Sequence, residues 1–178
     1  MNDTANDLVN ELERLADPQS RDRAQLARLR SALIPGRELE ALAIVMPFVR
    51  ADGQGPRQLE RAEDTALLVA GLFAMFPQHH GKLSLATAMR KVAGAQDGGS
   101  VEQRFRALLT ASRSELRVHL RYAVSLVAGQ DGIPGIDYVD LHRAIRWWDH
   151  ENGHARRRWA REFWAPMGAE PKTSDEPE

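Results

Sequence analysis

Apolar residues recur along most of this chain at intervals of three and four, and no stretch alternates strictly between apolar and polar. A period near 3.6 lines one stripe of a helix, whereas a half-buried strand needs a period of two. Every strong segment therefore reads as helix. Leu8, Leu12 and Leu15 share a face behind a Thr4-x-x-Asp7 capping box. Asp17-Pro18 restarts the chain, because proline suits the first helical position. Leu26, Leu29 and Leu33 follow, and Pro35-Gly36 ends their segment. Leu39, Leu42, Ala43 and Met46 continue to a kink at Pro47.

Residues 51–56 (Ala-Asp-Gly-Gln-Gly-Pro) read as a loop. The long helix after them points Leu59, Ala66, Val69, Ala70 and Phe73 inward and stops near Pro77. A shorter one runs from Leu83 to Val92. Asp97-Gly-Gly is the clearest internal boundary. Capping boxes at Ser100/Gln103 and Ser112/Glu115 divide residues 100–128 into two helices. After a Gly-rich loop at 129–135, Asp137 and Asp140 open a helix carrying Leu141, Ile145 and Trp148. Gly153 interrupts it, and residues 154–165 form the last helix. The expected fold is all-α, with eight to nine helices in two packed bundles and no sheet. The expected bundles are residues 1–95 and 100–165, followed by a disordered acidic tail at 166–178 with three prolines and four acids.

Composition changes this picture in two ways. The chain of 178 residues has no Cys, which removes disulfides, thiolate metal sites and cysteine nucleophiles. Its net charge of −1 hides an uneven distribution. Residues 1–17 hold one base against five acids, and residues 166–178 hold one against four. The other 22 bases and 16 acids lie between, so the middle of the chain is cationic. Of the bases, 21 are Arg, whose planar fork of donors matches phosphate. No apolar run approaches the roughly 20 residues that span a membrane. The opening residues also lack the apolar core of a signal peptide, so the expected location is cytoplasmic.

The candidate chemistry is therefore sought among the arginines. Arg113, Arg117 and Arg121 recur at intervals of four, so on one helix they rise by about 6 Å each, a ladder able to follow a phosphate backbone. Arg156, Arg157, Arg158 and Arg161 are interleaved with Trp159, Phe163 and Trp164. Such mixtures suit single strands, although Trp159 and Phe163 have core spacing. Arg143 and Arg146 extend that surface, and Arg28 and Arg30 belong to an earlier basic stretch. His150 and His154 are one turn apart, but Gly153 breaks the helix between them and argues against a metal pair. No nucleophile elbow, phosphate-binding Gly-Lys-Ser/Thr loop or dinucleotide fingerprint is present.

The order of segments carries more than any one of them. Leu26-Ala-Arg-Leu-Arg30-Ser comes first, then Leu72-Phe-Ala-Met-Phe-Pro77 and Ser100-Val-Glu-Gln-Arg-Phe-Arg-Ala-Leu-Leu109. Leu116-Arg-Val-His-Leu-Arg121, Gly135-Ile-Asp-Tyr138, Arg146-Trp-Trp148 and Arg158-Trp-Ala-Arg-Glu-Phe-Trp164 follow. This series resembles the small subunit of the type I-E CRISPR surveillance complex Cascade, the CasB family, over about residues 20–165. The resemblance implies two helical bundles, no catalytic activity and no cofactor. It implies docking on the Cascade backbone and large subunits beside a second copy of itself. It also implies sequence-independent contact with guide RNA, target DNA and the displaced strand. Arg28 and Arg30 match the family's early basic motif, and Arg104, Arg117 and Arg121 its middle segments. Arg143, Arg146 and Arg158 lie in its closing ones.

The expected mechanism is electrostatic support of the R-loop, chiefly by Arg113, Arg117, Arg121, Arg157 and Arg158, with guide pairing supplying specificity. The competing class is an assembly module working through exposed Trp147 or Trp164, without nucleic-acid contact. A third is a small helical enzyme using the His150/His154 corner.

Overall fold

The computed structural model describes residues 3–20, 22–50, 55–96 and 98–165. Nine α-helices lie among them: α1 (Thr4–Ala16), α2 (Arg23–Ser31), α3 (Leu39–Val45), α4 (Pro56–Met75), α5 (Leu85–Ala95), α6 (Gly98–Thr110), α7 (Leu116–Ala128), α8 (Tyr138–Arg146) and α9 (His154–Trp164). No strand occurs among the described residues, apart from an isolated bridge between His79 and Ile136. Most of residues 51–56, Asp97 in the Asp97-Gly-Gly boundary, and the tail at 166–178 fall outside the described residues. None of the described helices is long and apolar enough to cross a membrane.

The helix starts follow local chemistry, with shifts. Asp3, not Thr4, caps α1, its carboxylate accepting from the Ala5 N–H at 3.2 Å. Asp17 follows the end of α1, and the next helix waits until Arg23, so Pro18 opens no helix. Ser100 sits inside α6, which begins two residues earlier. The Glu115 carboxylate does accept from the Ser112 N–H at 2.8 Å, one half of the expected box. Ser84 caps α5, and the Asp137 carboxylate accepts from the Asp140 N–H at the start of α8.

The helices pack as two interleaved groups. α4 lies against α1, α2, α3, α7 and α8, while α5 lies against α6, α7 and α9. Side chains of both groups join one apolar core, with Phe73, Phe105, Tyr138, Trp148 and Trp159 fully enclosed. Leu59, expected inward, is exposed. α2 crosses α4 closely at Gly71, where a Cβ would stand 2.7 Å from the Leu33 side chain. One cross-link between distant segments joins residues 76–83 to 135–138. Ile136 donates to Gln78 O and His80 to Ile136 O, both at 3.0 Å. Tyr138 closes the junction by donating its hydroxyl to Phe76 O at 2.7 Å. Burial pushes the Tyr138 hydroxyl well above its ordinary pKa, so it stays a donor. Gly135 permits this approach, since its φ is +150° and a Cβ would lie 2.4 Å from Gln78 O.

Candidate nucleic-acid interface

The three-step arginine ladder does not form as one row. α7 begins at Leu116, so Arg113 lies in the preceding turn and its guanidinium points inward. Arg113 donates to Ile145 O at 2.8 Å, to the Thr65 hydroxyl at 2.9 Å and to Arg61 O at 3.1 Å. It thereby joins α4 to the end of α8, where a cation also meets the negative end of the helix dipole. Burial lowers its pKa from the ordinary arginine value, and the nearby Arg61 adds to this. Arg117 is half-buried and pairs with Glu38 at 2.8 Å. Arg121 alone of the three is exposed and makes no ion pair or side-chain hydrogen bond among the described residues.

The other sequence-selected arginines divide the same way. Arg146 is only 8% exposed and donates to Arg50 O at 3.2 Å, so its expected place on the outer surface is corrected to an interior one. Arg30 is exposed but spends its Nε on Ala74 O in the last turn of α4. Arg28 is exposed at the end of α2, within electrostatic reach of Glu40. Arg143 pairs with Asp3, drawing α1 to α8. Burial pushes the Asp3 carboxyl up, but the hydrogen bond and charge of Arg143, with the Ala5 N–H, outweigh it and hold it below its usual value. Arg158 reaches Asp140 at 2.5 Å and Glu162 at 3.5 Å while remaining exposed. Arg157 is exposed with no side-chain partner among the described residues, as are Arg104 and Arg161.

The aromatic residues sort as their spacing predicts. Trp159 and Phe163 are buried on the inner face of α9. Phe163 stacks on Phe105 with centroids 4.2 Å apart, and Trp164 meets both rings edge-on beneath the guanidinium of Arg106. Trp164 is nevertheless 39% exposed, as expected of it, with part of its ring packed on its own fold. Arg156 is likewise drawn inward, lying over the Trp148 ring and donating to Ala111 O.

The arrangement that sequence reasoning missed is a groove between α8 and α9. Trp147 is half exposed and stands beside His150, which stands beside His154, at ring separations of 6.0 and 6.1 Å. Arg143 and Arg158 line the same groove. The three rings are spaced three and four residues apart, a signal legible in principle, but Gly153 obscured it. With φ at +57°, Gly153 turns the chain sharply into α9. No group of three or more His, Cys, Asp or Glu gathers to hold a metal among the described residues.

Known proteins share this sequence and this fold. Residues 22–164 match the family model described as CRISPR-associated protein Cse2. A curated CRISPR-associated protein Cse2 from Thermus thermophilus is 38% identical over 170 residues, covering 94% of each chain. A crystal structure of a Cse2-family CRISPR-associated protein from the same organism superposes with a TM-score of 0.74 at 33% identity, covering 91% of this chain and 98% of that one. The crystal structure of M. ruber CasB gives 0.68 at 27% identity, covering 90% and 92%. The chain belongs to the Cse2 (CasB) family of CRISPR-associated proteins.

Proposed function

We propose that this protein is a non-catalytic subunit of an RNA-guided Cascade complex that steadies the R-loop by sequence-independent contact with phosphates. The observation that carries the reading is the state of Arg121 and Arg157: exposed, cationic and without a protein partner among the described residues. Such donors cost little to bring to a polyanion, because no ion pair has to be broken first. Arg28, Arg143 and Arg158 join them as exposed arginines that meet carboxylates, which phosphate can displace. Arg30, Arg113, Arg117 and Arg146 hold the scaffold in this reading. Guide RNA, target strand and displaced strand are the expected polyanions, and the Cascade backbone and large subunits and a second copy of the chain the expected protein partners.

The test is an Arg28/Arg121/Arg157→Ala triple variant in a reconstituted complex. R-loop lifetime falls, and the slope of log affinity against log salt flattens by about two to three. An intact complex with unchanged lifetime and slope overturns the reading. A purely structural assembly role has its own support, since Val118 and Tyr122 are 52% and 65% exposed on α7. Under that role, Val118→Ser with Tyr122→Ser prevents incorporation of the subunit, and the arginine variant changes nothing.

A further inference from the structure

We propose that the groove between α8 and α9 is a stacking subsite for one unpaired nucleobase, with Trp147 as its platform. This rests on the nucleic-acid reading above and adds to it a place where a base, not only a phosphate, is held.

The groove has a volume of about 420 Å³, inside the range of sites that take small ligands. Its walls are rings. Trp147 and His150 meet edge to face with an interplanar angle of 73°, and His154 continues the row. Between them the groove is lined by Ala144 and Ala155, and these short side chains keep the space open. No carboxylate lines it among the described residues, whereas Arg143 and Arg158 do. An exposed indole with cations beside it is what an unpaired nucleotide requires: a surface for the base and donors for its phosphates.

The geometry is also specific to Trp147. Trp148 and Trp159 are enclosed in the core, and Trp164 packs part of its ring against Phe105 and Phe163. Among the described residues the ring of Trp147 meets His150 as its one aromatic partner, and the residue is half exposed. The arginines beside it, Arg143 and Arg158, are exposed and pair with Asp3 and with Asp140 and Glu162, carboxylates that a phosphate displaces.

The probes are a twelve-residue oligodeoxythymidylate and an abasic oligomer of equal length, titrated at low salt into the full chain. Wild type binds the thymidylate more tightly, and only the thymidylate quenches tryptophan fluorescence. Trp147→Ala weakens thymidylate binding by about 5- to 150-fold, to the level of the abasic oligomer, whose own affinity is unchanged. Ala155→Leu fills the groove without removing a ring or a charge and gives the same loss. Thermal melts establish that both variants are folded.

Equal binding of the two oligomers by wild type overturns the subsite and leaves the phosphate reading standing. So does wild-type thymidylate affinity in both variants. Binding of neither oligomer at low salt overturns the subsite together with the reading beneath it. Retained thymidylate binding, with loss of Trp147→Ala from the assembled complex, assigns the groove to a protein partner instead.

Discussion

Two sets of arginines in this protein are alike in sequence and opposite in use. At the junction of α4, α7 and α8, Arg113 and Arg146 direct their donors onto backbone carbonyls of Ile145, Arg61 and Arg50. On the outer faces of α7 and α9, Arg121 and Arg157 make no side-chain bond among the described residues. Arg113 and Arg121 lie eight residues apart around the same segment. What separates them is whether the local backbone turns the stem toward backbone carbonyls or toward water. A buried guanidinium must have its donors met, because an unmet one forfeits its hydration. An exposed one keeps its donors hydrated and available. Counting arginines therefore overstates a binding surface, and the informative quantity is the number of donors left after the fold has taken its share.

The largest test of this contrast is Arg113→Ala. Three hydrogen bonds from a charged donor are lost at a partly buried site, so unfolding free energy falls by about 2–4 kcal/mol. A denaturant midpoint equal to wild type would show that Arg113 is not structural. Tyr138→Phe asks the same of a neutral buried donor. Removing the 2.7 Å bond to Phe76 O costs about 1–2 kcal/mol in urea melts, without altering oligonucleotide binding.

Arg117 stands between the two classes. Its hydrogen bond and charge hold the Glu38 carboxyl below its usual pKa, aided by backbone N–H groups. That stabilisation is present above the ordinary carboxylate value and is lost as pH falls through the lowered one. Arg117→Ala therefore costs up to about 1 kcal/mol at pH 7, and the difference from wild type shrinks in melts as pH falls below the ordinary carboxylate range. A constant difference across that range would assign the effect to packing. The smallest change in stability is expected for Arg121→Ala and Arg157→Ala, each within about 0.5 kcal/mol of wild type. Each should nevertheless reduce the salt slope of nucleic-acid binding by about one. A large loss of stability in either variant would erase the distinction between the two sets.

The helices themselves were legible where periodicity and punctuation agreed. Asp137 both spaced and capped α8, and the break between Thr110 and Leu116 followed Ser112 and Glu115. The starts of α1 and α6 moved by one or two residues. Several side chains can serve as a cap, and Gly98 and Gly99 were drawn into α6 despite their poor propensity. Trp159 and Phe163 read correctly as core because i, i+4 spacing on an amphipathic helix allows little else. Arg113 did not read correctly, since a four-residue interval has meaning only when all its members lie on the same helix.

By itself the sequence determined an all-helical chain, the family to which it belongs and a cationic middle, because periodicity, segment order and charge are properties of a linear string. Only the tertiary structure decided which arginines remain available. That depends on carbonyls and carboxylates such as Ile145 O and Glu38, 32 and 79 residues from the cations they meet. It also decided that Trp147, His150 and His154 line one groove. Their shared face depends on a left-handed turn at Gly153 and on how α9 folds back against α8, and both are settled by the packing of the whole core.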